Sequence, residues 1–203
     1  SVLNRYEPIS IDLIDEGGKP NTFGWSGRAN FETNGFFAKA EWVGAGDKYY
    51  NNPDPSDGNW YLKKKGNAQL LELGYNGRGL GVTLTGRRLE WMDSKIIAGN
   101  TSTSNMMNYI PAMCTQYTYM LTTHHPYNAQ TGNIIGNFIN SGEIGGQIDA
   151  FYNFRRGTAI GGKRGMKVHA NFSTYYTIEK EGTCNPGNLL FRDFSFDVER
   201  QWT

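Results

Sequence analysis

The chain has 203 residues, 38 % of them hydrophobic and 14 % aromatic, with a mean hydropathy of −0.57. That length suits one all-β domain or a section of a larger one, and no run nears the ~18 consecutive apolar residues of a spanning helix, which excludes a helical membrane bundle. Twenty basic against 19 acidic residues leave a net charge of +1, without the clustered basic excess of a nucleic-acid surface, so no nucleic-acid partner is expected.

Residues 5–14 alternate Ile9, Ile11 and Leu13 with Ser10 and Asp12 and predict a strand, closed by the turn-rich stretch 15–21. Over 24–33, Trp25, Gly27, Ala29 and Phe31 oppose Ser26, Arg28, Asn30 and Glu32. Asn34-Gly35 follows, a favoured two-residue hairpin turn. The return strand sets Phe36, Ala38, Ala40 and Trp42 against Phe37, Lys39, Glu41 and Val43. Residues 44–59, rich in Asp, Asn, Pro and Gly, predict a loop. A second hairpin is expected over 60–76 and 79–91 around Gly77-Arg78, with Leu71, Leu73 and Tyr75 matching Leu80, Val82 and Leu84 on one face.

Residues 93–107 predict a polar excursion, 108–123 a strand despite Pro111, and 124–141 a loop. The clearest alternation follows. Ile144, Gly146, Ile148, Ala150, Tyr152 and Phe154 share one face, against Gly145, Gln147, Asp149, Phe151, Asn153 and Arg155. After the glycine-rich turn 157–162 it resumes as Met166, Val168, Ala170, Phe172, Thr174 and Tyr176, against Lys167, His169, Asn171, Ser173 and Tyr175. A turn over 179–188 and a strand over 189–202 complete the chain.

Each strand thus pairs an apolar face with a polar one. In a soluble β-sandwich or jelly roll the apolar face packs on a second sheet. In an antiparallel up-and-down transmembrane β-barrel it meets lipid, and the polar face lines an aqueous interior. Strands of about ten residues are long for a sandwich. Their Gly- and Ala-rich apolar faces fill a core poorly, whereas lipid tolerates a ragged outline. Trp42, Tyr75, Trp91, Tyr152 and Tyr176 lie near strand ends, where an interfacial girdle wants aromatics. The barrel is therefore the expected fold, as one domain over 1–203 or part of a larger barrel. Lys39, Glu41, Gln147, Asp149, Asn153, Lys167, His169 and Asn171 are the candidates to face its interior.

Other chemistry is less well supported by the residues. His124-His125 point to opposite faces of a strand and cannot readily chelate one ion. Asp47, Asp54, Asp57 and Asn59 are hard oxygen donors, but their spacing does not match a calcium loop. Glu41, Glu72 and Asp149 could approach as a glycosidase pair only at a separation that spacing does not supply. The Gly157-to-Gly165 segment lacks the Lys-Ser/Thr ending of a phosphate loop. Its neighbours Arg155, Arg156, Lys163, Arg164 and Lys167 concentrate positive charge that would suit a lipopolysaccharide headgroup or a pore mouth. Cys114 and Cys184, 70 positions apart, are expected to be separate free thiols. No enzyme activity, metal or cofactor is expected.

The blocks GGQIDAFY at 145–152, GTAIGGK at 157–163 and VHANFS at 168–173 resemble uncharacterised Bacteroidetes outer-membrane barrel proteins, grouped as a domain of unknown function. FAKAEWVGAG at 37–46, NYIPA at 108–112 and YTYMLTTHHPY at 117–127 are similar to theirs too. The resemblance implies an outer-membrane barrel, a passive conduit or the embedded component of an assembly. Its partners would be outer-membrane lipid or lipopolysaccharide and other outer-membrane or periplasmic proteins. It implies no catalytic residues. Such proteins are usually longer and often end on an aromatic, whereas this chain starts without Met and finishes Gln201-Trp202-Thr203, so an internal portion of a larger barrel is expected. The competing expectation is a secreted β-sandwich that binds carbohydrate through Trp42, Trp60 and Tyr61.

Overall fold

A computed structural model of the chain describes residues 1–6, 9, 11–52, 56, 58–92 and 142–200. The protein is all-β and antiparallel. Its strands are β1 (Val2–Tyr6), β2 (Asn21–Thr33), β3 (Phe36–Asn51), β4 (Tyr61–Gly77), β5 (Leu80–Glu90), β6 (Gly142–Phe154), β7 (Met166–Ile178) and β8 (Pro186–Arg200). They form one 8-stranded sheet in strict chain order, each strand paired with the next. Among the described residues the sheet is open, with β1 and β8 as its edges. Expected positions in 93–141, including Cys114 and His124-His125, lie outside the described residues.

The expected hairpin chemistry is present. Asn34 and Gly35 both take positive φ, 48° and 84°, which gives the turn a twist matching the right-handed twist of its flanking strands. Arg78 and Gly79 repeat the pair at 52° and 87°, so the second turn lies one residue later than expected. The Leu faces still match, with Leu73 opposite Leu84.

Three expectations need correction. The stretch 5–14 is not one strand: only Arg5 and Tyr6 belong to β1, and Ile11–Asp15 form a short helix, α1. Leu13 is buried against Tyr49, with Ile9 and Tyr61 packed beside them, while Ile11 and Ile14 stay exposed. One long-range contact thus overrides a two-residue alternation. Nor is 44–51 a loop. β3 continues to Asn51 through a bulge between Ala45 and Asp47, and Tyr49 and Tyr50 are buried. Before the bulge, Gly44 lets Trp25 of β2 pack across it, because a Cβ there would sit 2.3 Å from the indole nitrogen. β8 also starts earlier than expected, at Pro186.

Cross-strand register sorts the side chains into two faces. One row runs Ala38, Leu73, Leu84, Ile148, Phe172, Phe194 across six strands. The residues opposite one another in the alternate phase run Lys39, Glu72, Thr85, Gln147, Ser173, Asp193. The apolar row is the exposed one: Leu84 is 47 %, Ile148 42 % and Phe194 65 % exposed. On the polar face Glu41, Arg87, Glu143, His169, Asn171 and Ser173 are buried. A flat, isolated sheet would expose both faces alike. Toward the end where Trp91 lies, this sheltered face turns apolar, with Val43, Ala45, Ala68, Leu89 and Met92 in one cluster.

Candidate functional site

By register the eight residues expected to face an interior share the polar face of the sheet, buried at Glu41, His169 and Asn171 and exposed at Asn153. Lys39 and Glu41 come from β3, Gln147, Asp149 and Asn153 from β6, and Lys167, His169 and Asn171 from β7. Alternation alone puts them there, because side chains two apart share a face. How they pair depends on register.

Directly opposed residues form the first ion pairs. Arg28 meets Glu41 at 2.9 Å between β2 and β3, and Lys39 meets Glu72 at 2.8 Å between β3 and β4. Between β5 and β6 the buried Arg87 reaches one diagonal step to the buried Glu143, and its guanidinium lies 4.9 Å over the Tyr175 ring. On β6, β7 and β8 the buried His169 stands between two carboxylates. Its Nε2 is 2.7 Å from Asp149 and its Nδ1 3.3 Å from Asp197, directly opposite on β8. Asn171 donates to the same Asp149 oxygen at 2.9 Å. Lys167 and Glu199 lie 3.8 Å apart at the strand ends.

The face is therefore a ladder of alternating charge, in which cations and carboxylates from neighbouring strands compensate one another. Buried charges need such compensation, since an isolated one would cost several kcal/mol. The candidate glycosidase carboxylates Glu41, Glu72 and Asp149 are each engaged by a basic side chain. Asp47, a candidate calcium ligand, pairs with Lys63 at 2.9 Å. Asp54 and Asp57 lie outside the described residues. Among the described residues no three His, Cys, Asp or Glu side chains converge as a metal set. Cys184 is a free, exposed thiol.

Sequence reasoning set Arg28 on the polar face of its strand without marking it as an ion-pair member, and missed Arg87, Glu143 and Asp197. The signal was available in part: Glu143 continues the phase of Gly145, Gln147 and Asp149, and Asp197 that of Ser195 and Glu199. Trp91 departs from its expected place in an aromatic girdle. It is buried, edge-on to Tyr50 at 4.8 Å, in the apolar end of the sheltered face.

Over residues 1–203 the chain matches the model of a family described as a family of unknown function, DUF6029. It belongs to that family. No curated protein and no solved structure matches it. For this DUF6029 chain, therefore, the functional reading must be built from the two faces and the connections between strands.

Proposed function

We propose that the chain is an outer-membrane β-barrel protein, or a substantial part of a larger barrel, of the Bacteroidetes kind. Its apolar face meets lipid and its charged ladder faces an aqueous interior. It serves as a conduit or as the membrane-embedded component of an assembly. The observation that carries this reading is the inversion of the faces: Leu84, Ile148, Phe172 and Phe194 are exposed while Arg87, Glu143 and His169 are buried. In water, burying a Leu or Phe is worth about 1.5–3 kcal/mol. A soluble fold that left this row wet would forgo a sum comparable with its whole net stability, about 5–15 kcal/mol.

Three further features support it. The strands β2 to β8 run 11 to 17 residues, against the ~9–11 that span a bilayer. The apolar face carries aromatic contacts toward both ends: Phe36–Tyr75 and Tyr152–Phe154 at the turn end, each at 4.7 Å, and Trp25–Trp42 at 5.6 Å toward the other. Finally, the connections differ by end. Asn34-Gly35, Arg78-Gly79 and the stretch 155–165 link strands at one end, while 7–20, 52–60, 91–141 and 179–185 link them at the other. Short periplasmic turns and longer outer loops are the habit of outer-membrane barrels. The two-residue turns at one end and the long 91–141 connection at the other favour the Asn34 end as the periplasmic one, although 155–165 at that end outruns 52–60 and 179–185.

Single cysteines test the reading in a background where Cys114 and Cys184 are replaced by Ser. L84C and I148C in membranes are expected to react with a lipid-soluble maleimide and resist a charged one. Q147C is expected to show the reverse. If L84C reacts freely with the charged reagent and the protein leaves membranes in carbonate, the soluble carbohydrate-binding reading, with its exposed Trp42 and Trp60, takes over.

A further inference from the structure

Between the turns of β4–β5 and β6–β7 and the end of β8 lies an open cleft of about 810 Å³, lined by Arg78, Arg155, Arg156, Arg164, Lys167 and Arg200. Glu199 supplies the acidic group in that lining, 3.8 Å from Lys167. Among the described residues Arg78, Arg155, Arg156 and Arg164 form no ion pair. This differs from the ladder higher on the same sheet, where cations face carboxylates. Four exposed arginines line one cleft whose acidic residue, Glu199, already faces Lys167, and the excess positive charge they leave is offset when an anion enters.

The cleft is also built on a fixed backbone. The Arg155-to-Gly165 connection is tied internally: Thr158 Oγ donates to the Arg155 carbonyl at 2.8 Å and accepts from the Gly161 amide at 3.0 Å. The Gly157, Gly162 and Gly165 amides donate to the Gly162, Thr158 and Gly161 carbonyls at 2.7–2.8 Å. A Cβ on Gly161 would stand 2.1 Å from the Arg155 carbonyl oxygen, so this loop admits glycine there. A Cβ on Gly162 would meet the Arg200 guanidinium at 2.8 Å, which shows that Arg200 from β8 lies against the loop. The loop thus holds Arg155, Arg156 and Arg164 beside Arg78 and Arg200.

We infer that this cleft is a binding site for a phosphate group, carried by a lipid headgroup or a soluble phosphate compound. Planar guanidinium forks match tetrahedral oxyanions through paired, charge-assisted hydrogen bonds. The inference goes beyond the membrane reading and does not depend on it, because the cleft is formed by described turns at one end of the sheet.

The test uses the purified full chain, in a neutral sugar-headed detergent if it requires one, with two probes: radiolabelled pyrophosphate and short-chain phosphatidylglycerol in mixed micelles. Saturable binding of at least one is expected. It should weaken by about tenfold or more in R156Q/R164Q, and remain unchanged in K19Q/K180Q, which removes equal charge at the opposite end of the sheet. Binding of the lipid alone assigns the source to a headgroup, and binding of pyrophosphate alone assigns it to a soluble compound. A second variant, R156K/R164K, keeps the charge and still loses affinity, because ammonium groups lack the fork. Binding of neither probe, or binding that R156K/R164K leaves intact, or equal loss in K19Q/K180Q, overturns the site.

Discussion

His169 places its Nε2 2.7 Å from Asp149, one diagonal step away on the neighbouring strand, while its other ring nitrogen faces Asp197 at 3.3 Å. The imidazole thereby links three strands through one buried side chain. Replacing it with Ala leaves Asp149 and Asp197, on the strands either side of it, without their shared partner. H169A is expected to lose about 1–3 kcal/mol of stability, read as a lower denaturant midpoint. H169Q, which keeps an amide donor toward Asp149, should lose less. Equal midpoints for wild type and H169A would show that the trio contributes nothing to the sheet.

Arg87 and Glu143 form the most deeply buried ion pair of the ladder, with side chains 5 % and 1 % exposed. Removing one partner strands the other in a sheltered site, so E143A is expected to cost about 3–5 kcal/mol. The double variant R87M/E143L replaces both charges with apolar groups of similar length and is expected to recover most of that loss. Urea titrations of wild type, E143A and R87M/E143L check the recovery. A double variant no better than E143A would mean that the two side chains act separately.

The two-faced pattern was legible residue by residue, because a strand's period of two leaves no freedom once its phase is set. Hence Gln147, Asp149, His169 and Asn171 were placed together on one face without any knowledge of pairing. Which carboxylate meets which cation was not legible. That depends on register across the β6–β7 connection, and the length of a glycine-rich turn is not written in its composition. α1 was hidden for another reason: Ile9, Ile11 and Leu13 fit a strand, and burial of Leu13 on Tyr49, distant in sequence, decides otherwise. The extension of β3 past Gly44 was masked by Gly, Asp and Asn, which elsewhere mark loops but here serve a bulge and a close Trp25 contact. Asn34-Gly35 was readable because the residue pair itself specifies the backbone twist.

Gly35 makes that last point testable. Its φ is 84°, and a Cβ would stand 2.5 Å from the Asn76 carbonyl oxygen. Both strain and collision oppose any side chain, so G35A is expected to lower stability by about 1–2 kcal/mol. N34G, whose native φ of 48° glycine adopts freely, should cost only a few tenths of a kcal/mol. Thermal or denaturant midpoints of the two variants separate these outcomes, and a G35A midpoint at the wild-type value would argue against the I′ geometry of the turn.

A charge moved from one face to the other weighs lipid against water directly. Leu84 lies mid-strand on the exposed apolar row, opposite Ile148, and Thr85 beside it points to the ladder next to Gln147. If hydrocarbon covers the apolar row, L84R places a guanidinium near the bilayer midplane at a cost of about 2–4 kcal/mol. Q147R, on the polar face, then costs little, because interior water solvates the charge. If water covers the row, the order reverses: L84R improves solubility and Q147R crowds the sheltered cations. Folding into phosphatidylcholine vesicles over a urea series measures both variants. An L84R as stable as wild type there would show that the apolar row does not face lipid.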